Sequence, residues 1–181
     1  MDAMNPALCI VVPVLDEAPN LAACLGALQP LRQRGARVVV VDGGSSDDSL
    51  AIARDLADLA FVGPRGRARQ MNAGAAACCG ELLLFLHADT RLPHDADALV
   101  RRAMQGQRRW GRFDVAIDSP LPVMRVVEAL MNLRSRWTGI ATGDQAIFVR
   151  KDLFEQIGGF PDQPLMEDVA LSTRLKRHGS P

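Results

Sequence analysis

Acidic and small polar residues follow three apolar segments of the sequence. The first segment leads to Asp16 and Glu17, the second ends at Asp42, and the third leads to His87 and Asp89. If the segments are parallel strands, these side chains meet beyond one edge of a sheet, where carboxylates can accept hydrogen bonds from ribose hydroxyls or a base. Each acid alone is equally well explained as a turn former or a helix cap. Three acidic strand ends together favour a polar ligand-binding site.

Two further patterns suit a phosphorylated ligand. Asp89 offers a hard oxygen ligand to Mg²⁺ or Mn²⁺, and phosphate oxygens of the bound ligand would complete the coordination shell. Arg65, Arg67 and Arg69 alternate near a predicted helix N-terminus and could hold a diphosphate through charge-assisted hydrogen bonds. A solvated basic turn is the alternative explanation for the arginines.

Glu167 and Asp168 form an acidic pair at the start of a predicted helix. One carboxylate could act as a general base while the other orients a substrate hydroxyl. Their favourable interaction with the helix dipole explains the pair without any catalytic role. The sequence therefore leaves both interpretations open.

Composition excludes several classes of function. Lys plus Arg equals Asp plus Glu at 21 each, and aromatic residues make up 4% with no Tyr, so nucleic-acid binding is not expected. The turn after the first apolar segment lacks the glycines of a dinucleotide-binding site, and no phosphate-binding P-loop motif occurs. No apolar run reaches the ~18 residues of a membrane span, and no signal peptide is evident, so we expect a soluble, cytoplasmic protein.

The four cysteines are expected to be free thiols. Cys9, Cys24, Cys78 and Cys79 form no C-x-x-C pair, and two of them are adjacent. This spacing favours neither a metal knuckle nor a disulfide framework. We therefore predict buried, reduced thiols.

The apolar pattern predicts an α/β fold. Continuous apolar runs at residues 8–14, 37–41 and 82–86 are typical of central strands in a parallel sheet. Amphipathic helical patterns, the first capped by Asn20, separate these runs. The alternation predicts a Rossmann-like, mostly parallel open sheet flanked by helices.

The pattern changes after His94. It predicts a helix at residues 95–105, a strand at 112–118, a helix from Pro122, a strand at 146–150, a short helix from Asp152 and a final helix at 167–176. On the helix from Pro122 we expect the apolar stripe to pack in the core rather than contact a membrane: Val123, Val126, Val127, Leu130 and Met131. No repeat or linker divides the chain, which predicts one domain.

Five motifs occur in the order seen in glycosyltransferase family 2. They lie at residues 12–17, 40–47, 67–74, 87–89 and 167–168, and the segments 139–145 and 158–161 add to the match. The chain resembles a nucleotide-sugar transferase of the GT-A fold over essentially its whole length. It is most similar to a compact bacterial branch that is sometimes associated with arsenosugar biosynthesis genes.

The resemblance implies a role for each motif. Residues 1–90 would form a nucleotide-binding half and residues 91–181 an acceptor-side half, without the C-terminal tail that relatives usually carry and that could contact a membrane. The nucleotide would contact Pro13, Glu17, Asp42, Arg67, Asn72 and His87. Asp89 would bind the metal, Gly143, Asp144 and Gln145 would border the acceptor and sugar, and Asp168, with Glu167 beside it, would be the catalytic base.

The implied reaction is inverting and depends on a divalent cation, Mg²⁺ or Mn²⁺. A sugar would pass from a nucleoside-diphosphate sugar to a hydroxyl of an unidentified acceptor. His87 departs from the family pattern, because it replaces the first Asp of the metal motif. A nucleotidyltransferase and a non-catalytic nucleotide-binding domain remain alternatives, although the former usually carries a basic, Gly-rich signature after its first strand.

Overall fold

The computed structural model describes residues 7–181, which form a six-stranded sheet flanked by helices. The strands are β1 (Leu8–Val14), β2 (Arg37–Asp42), β3 (Leu59–Val62), β4 (Leu82–Phe85), β5 (Trp110–Gly111) and β6 (Phe148–Arg150). The α-helices are α1 (Ala18–Gln33), α2 (Ser49–Leu56), α3 (Arg67–Ala77), α4 (Ala96–Ala103), α5 (Pro122–Thr138), α6 (Lys151–Gln156) and α7 (Glu167–Leu175). Short 3₁₀ turns lie at Gly143–Gln145 and Lys176–His178.

The sheet confirms the predicted α/β fold. Its strand order is β3-β2-β1-β4-β6-β5, with parallel pairing through the first four strands and antiparallel pairing of β6 with both β4 and β5. The central strands β1, β2 and β4 are apolar and buried on both faces because helices cover both sides of the sheet. Their carboxyl ends therefore meet at one edge, where the polar residues after each strand converge.

The predicted strand over 112–118 is wrong. Only Trp110 and Gly111 pair with β6, and the following segment has no strand partner. Its backbone is held instead by side chains of α5: Asn132 binds both the N–H and the carbonyl of Val115, at 2.8 and 2.9 Å, and Glu128 accepts from the N–H of Ile117 at 2.9 Å. Side chains that satisfy a backbone in this way leave no sign in the apolar periodicity.

The predicted orientation of α5 is also wrong. Val123, Val126 and Leu130, expected in the core, are 58–60% exposed, because the polar residues that hold the 112–118 segment occupy the inner face. Among the described residues, no helix has the length and apolar character that a membrane crossing requires.

A disulfide corrects the prediction of four free thiols. Cys9 of β1 and Cys78, directly after α3, are bonded with a Cα–Cα distance of 6.1 Å and 69 positions between them in the sequence. Helix α3 packs against β1, which brings the two cysteines together. Their spacing in the sequence does not indicate this contact. Cys24 and Cys79 are free, and burial raises the pKa of the Cys24 thiol to about 11.

Reduction of this bond should destabilise the domain. Closing a loop of this length contributes about 4 kcal/mol in the chain-entropy account of disulfides. Urea unfolding with and without dithiothreitol should show a lower midpoint in reductant for the wild type and for Cys79→Ser, but no such difference for Cys78→Ser. Equal midpoints for the wild type under both conditions would contradict the bond.

Candidate active site

A cleft of about 370 Å³ lies beyond the carboxyl ends of β1 and β4. Five of the residues predicted from the sequence line it: Pro13, Glu17, Arg67, His87 and Asp89. The remaining lining residues include Arg65, Gly66, Gln70, Pro164 and Leu165. The structure thus brings together two of the three predicted strand ends, those of β1 and β4, and the basic segment before α3.

The rim of the cleft is built from two interlocked loops. The backbone N–H groups of Asp16 and Glu17 donate to the hydroxyls of Ser45 and Ser49, both at 2.9 Å, and Asp16 accepts from the N–H of Ser46 at 2.7 Å. Asp16 has φ 55°, so it turns the chain sharply after β1. These residues therefore hold the loops together and leave Glu17 at the cleft.

Asp42 has a largely structural environment. It is 1% exposed and does not line the cleft, and its Oδ1 accepts from the N–H groups of Gly44 and Ser45, each at 2.7 Å. Its Oδ2 is buried and has no hydrogen-bond partner among the described residues. One carboxylate oxygen thus stabilises the turn, while the other remains a hydrogen-bond acceptor without a donor.

The three alternating arginines separate into two environments. Arg65 and Arg67 line the cleft, and Arg67 Nη1 lies 3.4 Å from Oε1 of the buried Glu167. Arg69 forms a fork-like pair with the exposed Asp162, with contacts of 2.7–2.9 Å, outside the cleft. The expectation that all three hold a diphosphate is therefore corrected to two, because a helix turns alternate residues to different faces.

His87, Gly143 and Asp168 are in direct contact. The N–H of Gly143 donates to Oδ2 of Asp168, and the N–H of Val169 donates to Oδ1 at 2.7 Å. A Cβ atom on Gly143 would lie 2.0 Å from Cε1 of His87, so only glycine fits between the imidazole and the carboxylate. His87 also lines the cleft beside Asp89, and it therefore joins the Asp89 side of the site to the Asp168 side.

The electrostatics of His87 follow from this position. Burial lowers the pKa of its imidazole, and Arg67 acts in the same direction. Asp89, Asp144 and Asp168 oppose that shift, which shows that all three carboxylates act on the same ring. The lowered pKa favours the neutral form of the His87 imidazole.

Asn72 and Gln145 are engaged in the framework. Asn72 exchanges two hydrogen bonds of 2.9 Å with the backbone of Phe160, so its amide is not aimed at the cleft. Gln145 is fully buried, and its Oε1 accepts from the N–H of Thr142 at 3.2 Å. Both side chains thus have structural contacts, and Gln145 Nε2 is buried without a hydrogen-bond partner among the described residues.

Gln70 was missed by the sequence analysis. Its Nε2 donates to the carbonyls of Val14 and Val41, at 2.7 and 2.9 Å, and it lines the cleft. The side chain thus fastens α3 to the carboxyl ends of β1 and β2. Its signal in the sequence is a single amide among the small and apolar residues of the inner helix face.

Asp89 is the exposed carboxylate among the residues that line the cleft. Its Oδ1 accepts from the hydroxyl of Thr90 at 3.2 Å. Asp89 also borders a groove of about 830 Å³ that runs between the 113–118 segment and α5 and includes Asp144. Within the described part of the chain, no group of three or more His, Cys, Asp or Glu could hold a metal ion without further ligands.

The contact between Gly143 and His87 generates a stability prediction. Gly143→Ala should destabilise the fold by roughly 1–3 kcal/mol, because the added methyl group overpacks the site against the imidazole. Gly26→Ala, on the exposed side of α1 with nothing within 4 Å of an added Cβ, should instead be neutral or stabilising. Urea unfolding measures both.

The double variant Gly143→Ala/His87→Ala tests the cause. Removing the imidazole should restore most of the stability lost in Gly143→Ala. Additive losses in the double variant would show that the clash is elsewhere.

Comparison with known proteins supplies the family. The model of "Glycosyl transferase family 2" matches residues 9–158. A PGL/p-HBAD biosynthesis glycosyltransferase of Mycobacterium bovis (strain BCG) is 30% identical over 174 residues, which cover 86% of this chain and 63% of that relative. The chain therefore spans less than two thirds of the length of this curated relative.

Solved structures agree in fold. The mannosyltransferase PcManGT of Pyrobaculum calidifontis, in complex with GDP-Man and Mn²⁺, has a TM-score of 0.72 at 22% identity, over 99% of this chain and 55% of that one. TarS of S. aureus in complex with UDP-GlcNAc has a TM-score of 0.72 at 18% identity, over 93% and 52%. The sheet and its helices have the GT-A architecture, and the match over most of its length shows that the chain belongs to glycosyl transferase family 2.

Proposed function

We propose that this domain transfers a sugar from a nucleoside-diphosphate sugar to an acceptor hydroxyl, with inversion at the anomeric carbon. The observation that carries the proposal is the position of His87, which lies in the cleft beside Asp89 and in contact with Gly143, which in turn holds Asp168. One side of this arrangement suits a diphosphate with its cation, and the other suits a proton acceptor. A binding domain without catalysis has no need of the second.

The donor diphosphate binds at the N-terminus of α3. Gly66 and Arg67 open this 11-residue helix at the cleft, and the side chains of Arg65 and Arg67 add positive charge there. Unpaired N–H groups at a helix N-terminus and guanidinium groups both favour phosphate. Glu167, buried against Arg67, positions that guanidinium. Asp42 does not line the cleft, so in this proposal it shapes the turn after β2 rather than contacting the nucleotide.

The side chains at the cleft fit a divalent cation only together with the donor. Asp89 supplies one exposed carboxylate, which is a suitable ligand for Mg²⁺ or Mn²⁺, and the diphosphate oxygens supply the rest. When bound, the cation would neutralise charge on the departing nucleoside diphosphate. The relative solved with GDP-Man and Mn²⁺ supports this assignment.

Asp168 is assigned as the general base. Two backbone N–H groups, from Gly143 and Val169, fix its carboxylate, while each oxygen keeps a lone pair for the substrate. The carboxylate takes the proton of the acceptor hydroxyl as that oxygen forms a bond to the anomeric carbon. The bond from this carbon to the diphosphate oxygen breaks, and its electron pair leaves with the nucleoside diphosphate. Arg65 and Arg67 stabilise the charge that develops there.

Replacement of the base should separate binding from turnover. Asp168→Asn should lower the rate of nucleoside-diphosphate release by about 10²–10⁴-fold, because proton removal is lost. The affinity for donor should change little, because the diphosphate lies on the other side of His87. Release of UDP or GDP from UDP-GlcNAc and GDP-Man with Mn²⁺, and calorimetric donor binding, measure the two effects.

Asp162→Asn is the matched control, since Asp162 is exposed and pairs with Arg69 outside the cleft. It should leave both quantities near those of the wild type. Release of pyrophosphate from a nucleoside triphosphate plus a sugar phosphate would favour a nucleotidyltransferase instead. Turnover that is unchanged in Asp168→Asn would remove Asp168 as the base.

An acceptor screen should include hydroxylated arsenic compounds, given the resemblance to the arsenosugar-associated branch.

Asp89 should make donor binding depend on the cation. We expect Asp89→Asn to weaken binding of donor in the presence of Mn²⁺ by about tenfold or more, equivalent to about 1.4 kcal/mol, because the shared cation loses its carboxylate. Donor binding in EDTA should be similar for variant and wild type. Asp95→Asn, an exposed acid outside the cleft, serves as the control. Cation-independent binding by the wild type would contradict the assignment.

A further inference from the structure

Helix α5 presents its apolar side to solvent. Val123, Val126 and Leu130 are 58–60% exposed, and Trp137 is 82% exposed. Their spacing of three, four and seven residues places them in one stripe along the helix, together with Val127 and Leu133. A contiguous exposed apolar surface of this kind is typical of an interaction site.

The inner side of α5 carries the polar residues that hold the neighbouring segment. Asn132 and Glu128 bind the backbone of the 115–117 segment, and Ser135 is buried. Rotation of the helix to bury the stripe would break these hydrogen bonds and leave backbone groups unpaired. The exposed stripe is therefore a fixed property of the fold.

The charges beside the stripe are predominantly positive. Arg134 lies on the same side of α5 as the stripe, whereas Arg125 and Arg136 lie on the inner side, where they bind the Ile117 carbonyl and Asp114. The acid of the helix, Glu128, is also turned inward and lies 3.0 Å from Arg125. At the C-terminal end of the helix, Lys176 donates to the carbonyl of Thr138 at 3.1 Å, which adds the exposed 3₁₀ turn of Lys176–His178 to the same end. Asp114 pairs with Arg136, and Asp118 is the exposed acid near the other end.

We propose that this face of α5 docks on an anionic lipid bilayer. An apolar stripe with an exposed tryptophan, Arg134 and the basic turn Lys176–His178 matches the chemistry of a bilayer surface, where apolar side chains enter the headgroup region and cations meet anionic lipids. A second copy of the chain would instead bring two sets of these cations, Arg134 and the basic turn, to one interface. The chain as a whole has zero net charge, so the excess of cations over acids beside the stripe is a local property of this face.

Docking would also orient the groove beside the candidate active site. Met124, Val127 and Met131 of α5 line that groove, which reaches Asp89 and Asp144 at its other end. A membrane-held hydroxyl compound could therefore enter along α5. The docking proposal itself does not depend on the reaction proposed above.

Vesicle co-sedimentation with the full chain tests the proposal. The protein should sediment with vesicles of phosphatidylcholine and phosphatidylglycerol in equal parts, and much less with phosphatidylcholine alone. Val126→Glu should lower the partition coefficient by roughly tenfold or more, because a charge replaces a buried apolar contact. Arg134→Gln should lower it by about fivefold, as expected for one cation near an anionic surface.

Val62→Glu is the matched control, because Val62 on β3 is 58% exposed, like Val126, but lies away from α5. It should bind vesicles as the wild type does. Trp137 provides an independent readout: its emission should move to shorter wavelength on binding, whereas Trp110 is already buried. Trp137→Phe should abolish that shift.

Two results would overturn the proposal. One is a wild type that does not bind anionic vesicles. The other is a concentration-dependent dimer in solution, lost in Val126→Glu and kept in Val62→Glu, with vesicle binding equal in all three proteins. The second result would assign the stripe to an interface between two copies of the chain instead.

Discussion

The hydrogen bond from the Gly143 N–H to Asp168, packed against the ring of His87, joins the two sides of the candidate site. It connects the 3₁₀ turn before β6 with the first turn of α7, and His87 connects both to the end of β4. A side chain at position 143 would separate them, since no space exists for even a methyl group. The relative placement of Asp89 and Asp168 thus depends on one residue without a side chain.

Many polar residues of the motifs support the site without pointing into it. Asp16, Asp47 and Ser49 tie the loops after β1 and β2 to each other. Asn72 fastens α3 to the loop before α7 through Phe160. A residue that belongs to a family motif can therefore be required for geometry alone. Such residues hold the ligand-facing groups within narrow limits, which a preorganised site needs.

The sequence predicted the sheet and the position of the cleft because both follow from strong local patterns. The continuous apolar runs of β1, β2 and β4 have few alternative structures, and parallel strands bring the residues after them to one edge. No comparable local sequence pattern predicts which partner a long polar side chain will contact. Arg69 pairs with Asp162, and Cys9 is bonded to Cys78. Both partners are distant in the sequence, so neither could be identified from residue spacing.

Helix α5 shows a second limit of periodicity. Its apolar and polar sides were correctly separated by the pattern, but the pattern does not state which side faces inward. The orientation follows from the hydrogen bonds that the backbone of the 115–117 segment requires. An unpaired buried amide costs more free energy than an exposed valine side chain.

The outward stripe of α5 has a practical corollary for protein engineering. Because Val126 and Leu130 contribute little to the interior, they can be exchanged for polar residues with small changes in folding free energy. The solubility of the protein at high concentration can thus be changed without changing its melting temperature. A variant with a more polar α5 surface could be concentrated for crystallisation with its cleft intact.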